Sequence, residues 1–197
     1  MKKALVIVAH PDDETIWMGG SILRNKNYDW TIFSLCRKSD DDRRPKFEKV
    51  CKELNAKFLM GDLDDEELND LKIDYVEEFI ISYLKNKNYD VIYTHGENGE
   101  YGHKRHKETH NAVVSLVNKN ILKTRELICF SYINSNEYVL GFDLKIAIPN
   151  ENSETIINLN QDEHKKKMEI VSNIYGFDEN SFEVLCCNKQ EAFEKIK

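Results

Sequence analysis

Short apolar runs with almost no polar face recur along this chain at Leu5 to Val8, Trp30 to Cys36 and Val91 to Thr94, and such runs suit strands buried on both faces. Between them lie segments with helical apolar spacing. These are Glu14 to Asn25, Pro45 to Asn55 (Phe47, Val50, Cys51, Leu54) and Ile73 to Lys85 (Val76, Phe79, Ile80, Leu84). Strand and helix in alternation specify an α/β fold with a mostly parallel sheet and right-handed crossovers. A fourth helix runs through Val113 and Val117 after His106, followed by a strand at Leu127 to Tyr132. The pattern then changes: Tyr138 to Ile148 and Thr155 to Leu159 read as strands without intervening helices, and Gln161 to Tyr175 as a helix. The last twenty residues give no clear pattern. No Pro/Gly/Ser-rich linker interrupts the chain, so residues 1–197 are expected to form one domain.

Hydrophobic residues make up 41% of the chain, enough for a sizeable core and incompatible with intrinsic disorder. Twenty-eight basic against thirty-five acidic side chains give a net charge of −7, which disfavours binding to nucleic acid. Ala4 to Ala9, the longest apolar stretch near the start, is too short for a signal sequence or a membrane span, so a cytoplasmic location is expected. The five cysteines, Cys36, Cys51, Cys129 and the vicinal Cys186 and Cys187, fit neither a disulfide framework nor a zinc knuckle and read as mostly buried thiols.

His10-Pro11-Asp12-Asp13-Glu14 follows the first buried strand directly and stands at the mouth of the sheet. A helix N-terminus explains the three acids through the dipole, but not the histidine. Pro11 is rigid and holds His10 extended, so the imidazole and the Asp13 carboxylate can turn toward one point. A second segment, Thr94 to His110, contains four of the six histidines: His95, His103, His106 and His110. If a helix begins near His103, then His103 and His106 share a face, as do His106 and His110. The first and fourth strands are neighbours in a doubly wound sheet, which brings His10, Asp13 and a helical histidine together. Two imidazoles and a carboxylate suit Zn²⁺ with one position open to water, and Fe²⁺ accepts the same donors. Asp12, beside them and not needed as a ligand, is where a general base would stand.

Ala9-His10-Pro11-Asp12-Asp13-Glu14, then Met18-Gly19-Gly20, together with Gly99-Glu100-Tyr101-Gly102-His103-x-x-His106, resembles the PIG-L/LmbE family of metal-dependent N-acetylglucosaminyl deacetylases. The similarity covers most of residues 3 to about 135 in order of elements. It implies a Rossmann-like three-layer sandwich, usually Zn²⁺, and an N-acetylated sugar linked to lipid, inositol, malate or an antibiotic. By position it implies His10, Asp13 and His106 as metal ligands and Asp12 as general base. It also implies His103 as the histidine that assists the tetrahedral intermediate, with Tyr101 beside it. Arg43 or Arg44 would meet the sugar. Lys104-Arg105 replaces the Pro-Asp common in the family, and Arg105 is expected to oppose protonation of His103.

Of the other histidines, His95 ends a strand within reach of hydrogen bonding near the site, while His110 and His164 read as surface residues. Two charge clusters follow predicted strands: Arg37 to Lys46, and the acidic run Asp62, Asp64, Asp65, Glu66, Glu67 and Asp70, read as a solvated loop. The leading expectation is hydrolysis of an N-acetyl group to a free amine and acetate. Two alternatives compete: a metal-dependent phosphoester hydrolase, which wants a second metal cluster or a basic cradle, and a metal-dependent carbohydrate-binding protein without turnover. Retention of Asp12 argues against the latter. Tyr138 and Phe142, expected to be exposed on a late strand pair, offer a contact for an oligomer.

Overall fold

The computed structural model describes residues 1–197. Its frame alternates β1 (Lys2–Val8), α1 (Asp13–Arg24), β2 (Tyr28–Ser34), α2 (Arg43–Glu53), β3 (Lys57–Met60), α3 (Ile73–Tyr83), β4 (Val91–Thr94), α4 (Lys104–Asn118) and β5 (Glu126–Phe130). A hairpin of β6 (Tyr132–Tyr138) and β7 (Lys145–Pro149) follows. Then come β8 (Thr155–Asn158), α5 (Gln161–Glu169), a π-helical turn at Ile170–Tyr175, α6 (Phe182–Leu185) and β9 (Gln190–Lys195). Seven strands form one sheet in the order β3-β2-β1-β4-β5-β9-β8. The first five are parallel, and β9 and β8 join antiparallel. The result is the expected α/β, Rossmann-like sandwich with a mostly parallel sheet. No helix is long and apolar enough to cross a membrane.

β1 lies at the centre because its apolar run serves both faces. Ala4, Val6 and Val8 pack with Trp17 of α1, Val50 of α2 and Val171 of the π turn. Leu5 and Ile7 pack with Val76 and Ile80 of α3 and with Val113 and Leu116 of α4. Burying each such side chain contributes about 1.5–3 kcal/mol, so the strand that fixes the core also fixes where its carboxyl end emerges. β1 pairs with β2 on one side and β4 on the other, which makes the β1/β4 boundary the switch point of the sheet.

Beyond β5 the strand expected at Thr155 to Leu159 and the helix expected at Gln161 to Tyr175 are present, but other elements differ from the sequence reading. The strand expected to reach Tyr132 breaks at Ser131, where the chain leaves the main sheet for the hairpin. The strand expected over Tyr138 to Ile148 is interrupted by a turn at Gly141, whose φ is +83°. β9 is an interior strand that alternation could not reveal, because Gln190-Glu191-Ala192-Phe193-Glu194-Lys195 turns a carboxylate inward. Buried Glu191 accepts hydrogen bonds from the backbone N–H groups of Gly20 and Ser21, each at 2.8 Å, and pairs with Lys167 at 2.8 Å. Those amides are exposed by a kink in α1 at Met18 (φ −149°). A Cβ at Gly20 would lie 2.3 Å from Leu159 Cδ2, so any larger residue there would force the Leu159 side chain to move.

Candidate metal centre and cleft

After β1 the chain turns through Pro11 to Asp12, whose φ of 136° is a conformation that L-residues avoid and that costs on the order of 1–3 kcal/mol. Surrounding bonds hold it there. The Asp12 carbonyl accepts from the N–H groups of Thr15 (2.8 Å) and Ile16 (2.9 Å), and its own N–H donates to Glu14 (3.1 Å). The turn directs the Asp12 carboxylate to Arg43, 3.0 Å from Nη1. After β4, Gly99 (φ +67°) bends the loop so tightly that a Cβ would meet the His103 carbonyl at 2.7 Å, and α4 then begins.

Three side chains meet where these loops face one another. His10 Nδ1 is 3.1 Å from His106 Nε2 and 3.2 Å from Asp13 Oδ2, and His106 Nε2 is 3.4 Å from Asp13 Oδ1. Tetrahedral ligands at about 2.0–2.1 Å from a metal lie about 3.3 Å apart, so the spacing fits one ion. Outer hydrogen bonds aim the lone pairs inward. His10 Nε2–H donates to Asp65 (2.9 Å), which also accepts from Arg37 Nη2 (2.8 Å). His106 Nδ1–H donates to Glu100 (2.6 Å). Asp13 accepts from Trp17 Nε1–H (2.8 Å) and from the His10 N–H (2.8 Å). Each histidine is therefore held by a carboxylate in the tautomer a cation needs. Burial disfavours charge on His10, but hydrogen bonds to Asp13 and Asp65 outweigh it and hold its pKa up to about 10, so a proton and a cation compete for this point. Burial pushes the Asp13 carboxyl up, yet the neighbouring His106 and His95 bring it well below the ordinary range.

His95 lies against His106, ring centroids 3.9 Å apart, with a ring nitrogen within 4.8 Å of donor atoms of Asp13 and His106. Its Nε2 accepts the Ala9 N–H at 2.9 Å and its Nδ1–H donates to Glu100 at 2.8 Å, a geometry that suits the neutral imidazole, while burial is outweighed by Glu100 and Asp13, which raise its pKa to about 9.

A cleft of about 360 Å³ opens over this group, lined by His10, Asp12 and Asp13, by Arg37, Asp40, Arg43 and Asp65, and by Trp17, Tyr101, His103, Phe182 and Glu183. Burial and the Asp13 charge raise the Asp12 carboxyl well above its ordinary pKa, with Arg43 and His10 opposing. Burial likewise raises the Tyr101 phenol, keeping it a neutral O–H donor. Burial, then His106 and His10, push His103 down to about 3. Its Nδ1 is the buried side-chain nitrogen with no hydrogen-bond partner in the protein.

His10, Asp12, Asp13, Tyr101, His103 and His106 thus converge, joined by Arg43. Arg44 does not: its side chain is half exposed and pairs with Glu48 at 3.0 Å. The expected effect of Arg105 is also corrected. His103 does resist protonation, but Arg105 is not among the groups responsible; its buried guanidinium is turned to the segment around Asp64 and Asn69. His110 is not a surface residue, since it is buried and donates from Nδ1 to the His95 carbonyl at 2.8 Å. His164 is half buried against the Cys187 carbonyl. All five cysteines are buried and unpaired. In the acidic run, Asp65 turns inward to His10 rather than remaining solvated. Sequence reasoning missed Asp65, Arg37, Glu100, Phe182 and Glu183 as parts of the site. Only Glu100 carried a usable signal, its place in Gly-Glu-Tyr-Gly-His.

Comparison with known proteins bears on the family and the fold. The family model PIG-L, described as GlcNAc-PI de-N-acetylase, matches residues 5–117. Uncharacterized protein L374 of Acanthamoeba polyphaga mimivirus is 27% identical over 120 residues, 52% of each chain, so the chain spans about half the length of that relative. N,N'-diacetylchitobiose deacetylase from Pyrococcus horikoshii superposes with a TM-score of 0.72 at 16% identity, covering 99% of this chain and 84% of that one. The A40926 pseudoaglycone deacetylase Dbv21 gives 0.60 at 15% identity, covering 89% and 82%. The 4-carboxy-2-hydroxymuconate hydratase from Pseudomonas putida KT2440 gives 0.65 at 14% identity, covering 100% and 97%.

Proposed function

Because the chain belongs to the PIG-L family, we propose that it is a metal-dependent deacetylase hydrolysing the N-acetyl group of an N-acetylglucosamine-type sugar conjugate to a free amine and acetate. The observation that carries this reading is the convergence of His10 Nδ1, Asp13 and His106 Nε2 within 3.4 Å beside a carboxylate, Asp12, that is not needed to hold an ion. Fold likeness alone does not choose the reaction, since the hydratase shares the fold.

His10, Asp13 and His106 would hold the ion, Zn²⁺ or Fe²⁺ by donor type. When bound, such an ion polarises a carbonyl and lowers the pKa of water. The protein's own groups do the rest. Asp12 receives the proton of the attacking water, and Arg43 orients its carboxylate. Tyr101 donates its O–H, and neutral His103 an N–H, to the acetyl oxygen as charge develops there. The raised Asp12 pKa suits a base that must return the proton to the departing amine.

The cleft lining favours a polar ligand, and the partly exposed rings of Tyr101 and Phe182 border it. A phosphoester substrate gains no support, because Arg37 is committed to Asp65 and Arg43 to Asp12. The test is acetate release from N-acetylglucosamine conjugates, diacetylchitobiose among them, by Zn²⁺- or Fe²⁺-loaded protein. Stoichiometric metal and sugar binding without acetate release would leave the carbohydrate-binding alternative standing.

A further inference from the structure

Between β3 and α3 the chain runs from Gly61 to Lys72 without helix or strand, and six of these residues are acidic. Left to itself such a segment repels its own charges and extends into water. It is instead tied to α4. Lys104 Nζ donates to the Leu68 carbonyl at 2.6 Å and meets Asp70 at 2.5 Å. Arg105 donates through Nε to the Asp64 carbonyl, through Nη1 to the Asn69 carbonyl at 2.9 Å and through Nη2 to the Asp64 carboxylate at 2.9 Å. Glu108 accepts from Arg105 Nη1 at 2.5 Å and from the Leu71 N–H at 2.9 Å. The Arg105 side chain is wholly buried, and burying a guanidinium is costly unless every bond is made. Here its cost is offset by one bond to Glu108 of its own helix and by three to the segment carrying Asp65.

We propose that Arg105 is a positioning residue for the metal centre. By clamping the backbone on both sides of Asp65, at Asp64 and Asn69, it sets that carboxylate 2.9 Å behind His10 Nε2, and the proton thus fixed on Nε2 leaves Nδ1 directed at Asp13 and His106. The replacement of Pro-Asp by Lys104-Arg105 then has a function: the pair secures the His10 side of the site. This inference rests on the metal site proposed above.

The test is Zn²⁺ affinity, measured by chelator competition on the full chain, for wild type, Arg105→Met, Asp65→Ala and the double variant. Loss of an outer partner of a metal ligand weakens binding roughly 10- to 100-fold, expected for Asp65→Ala, and about tenfold is expected for Arg105→Met. The double variant should bind no more weakly than Asp65→Ala, because the two residues act through one hydrogen bond. Wild-type affinity in Arg105→Met, or a double variant in which both losses multiply, overturns the proposal. Should Arg105→Met not fold, Lys104→Ala removes the half-exposed member of the strap. It should weaken Zn²⁺ binding and speed cleavage by a glutamyl endopeptidase at Glu66 and Glu67; faster cleavage with unchanged affinity also overturns the proposal. Failure of the wild type itself to bind Zn²⁺ strikes instead at the metal site, so the two failures are distinguishable.

Discussion

The carboxylate of Glu100 accepts the Nδ1 proton of His106 across 2.6 Å, with both residues essentially out of contact with water. The same oxygen also accepts from His95 Nδ1 at 2.8 Å, while the second takes the Gly96 N–H at 2.7 Å. Only a carboxylate can serve all three donors. In Glu100→Gln, one side of the group becomes an N–H₂ facing either N–H donors of two imidazoles or the Gly96 N–H. The relief available to His106 is to move its proton to Nε2, the atom aimed at Asp13. Zn²⁺ affinity should therefore fall about 10- to 100-fold. Calorimetric titration checks this, and unchanged affinity would mean that Glu100 does not set the His106 tautomer.

Asp12 and Arg43 separate catalysis from metal binding. Asp12→Asn should retain stoichiometric metal while acetate release falls by roughly 10²-fold or more, as for a lost acid–base group. Arg43→Ala should also lower turnover, because it frees the Asp12 carboxylate. Arg44→Ala touches only the exposed pair with Glu48 and should change stability by no more than about 0.5 kcal/mol. Equal activity losses in the two arginine variants would contradict the assignment of the site-facing role to Arg43.

Glu14 gives a pH dependence of unusual sign. It is wholly buried, and burial raises its pKa from 4.5 to about 7 against hydrogen bonds from Thr15 and Tyr175. The folded protein therefore holds this proton more tightly than the unfolded chain. Stability from the group is complete below about pH 4.5 and is lost as pH rises through about 7, a change on the order of 3 kcal/mol. Urea unfolding of wild type against Glu14→Gln at pH 5 and pH 8 should show the variant gaining by about that amount at the higher pH. Parallel pH dependence in the two proteins would show that Glu14 does not titrate in this range.

The parts of the site legible in sequence were those tied to regular elements. An apolar run that must be buried fixes where β1 ends, so His10, Asp12 and Asp13 could be located, and α4 phasing with the family resemblance selected His106. Asp65 and Arg37 could not be found this way, since a run of charges carries no mark of which carboxylate turns inward; that depends on the contacts of Lys104 and Arg105 across the fold. His110 was misread because helix spacing does not reveal that the His95 carbonyl needs a donor there. Phe182 and Glu183 reach the cleft from a four-residue helix, too short for periodicity to register.

β9, also missed in sequence, offers the last test. Glu191 accepts from three groups of α1, the N–H of Gly20 and the N–H and hydroxyl of Ser21, and from Lys167. Lys167 has Glu191 as its one charged partner within ion-pair distance. The two members of this buried pair should therefore respond unequally. Glu191→Ala strands a buried ammonium and leaves the kink amides without acceptors, and breaking such a pair costs about 3–5 kcal/mol. Lys167→Met removes the charge that needs Glu191, replaces it with an apolar chain of similar length, and leaves the carboxylate its three α1 donors, so the loss should be clearly smaller. Denaturant unfolding of both variants measures the difference. If Lys167→Met is the more damaging, the bonds to α1 do not suffice to hold Glu191, and β9 is fixed to the kinked helix chiefly by the lysine.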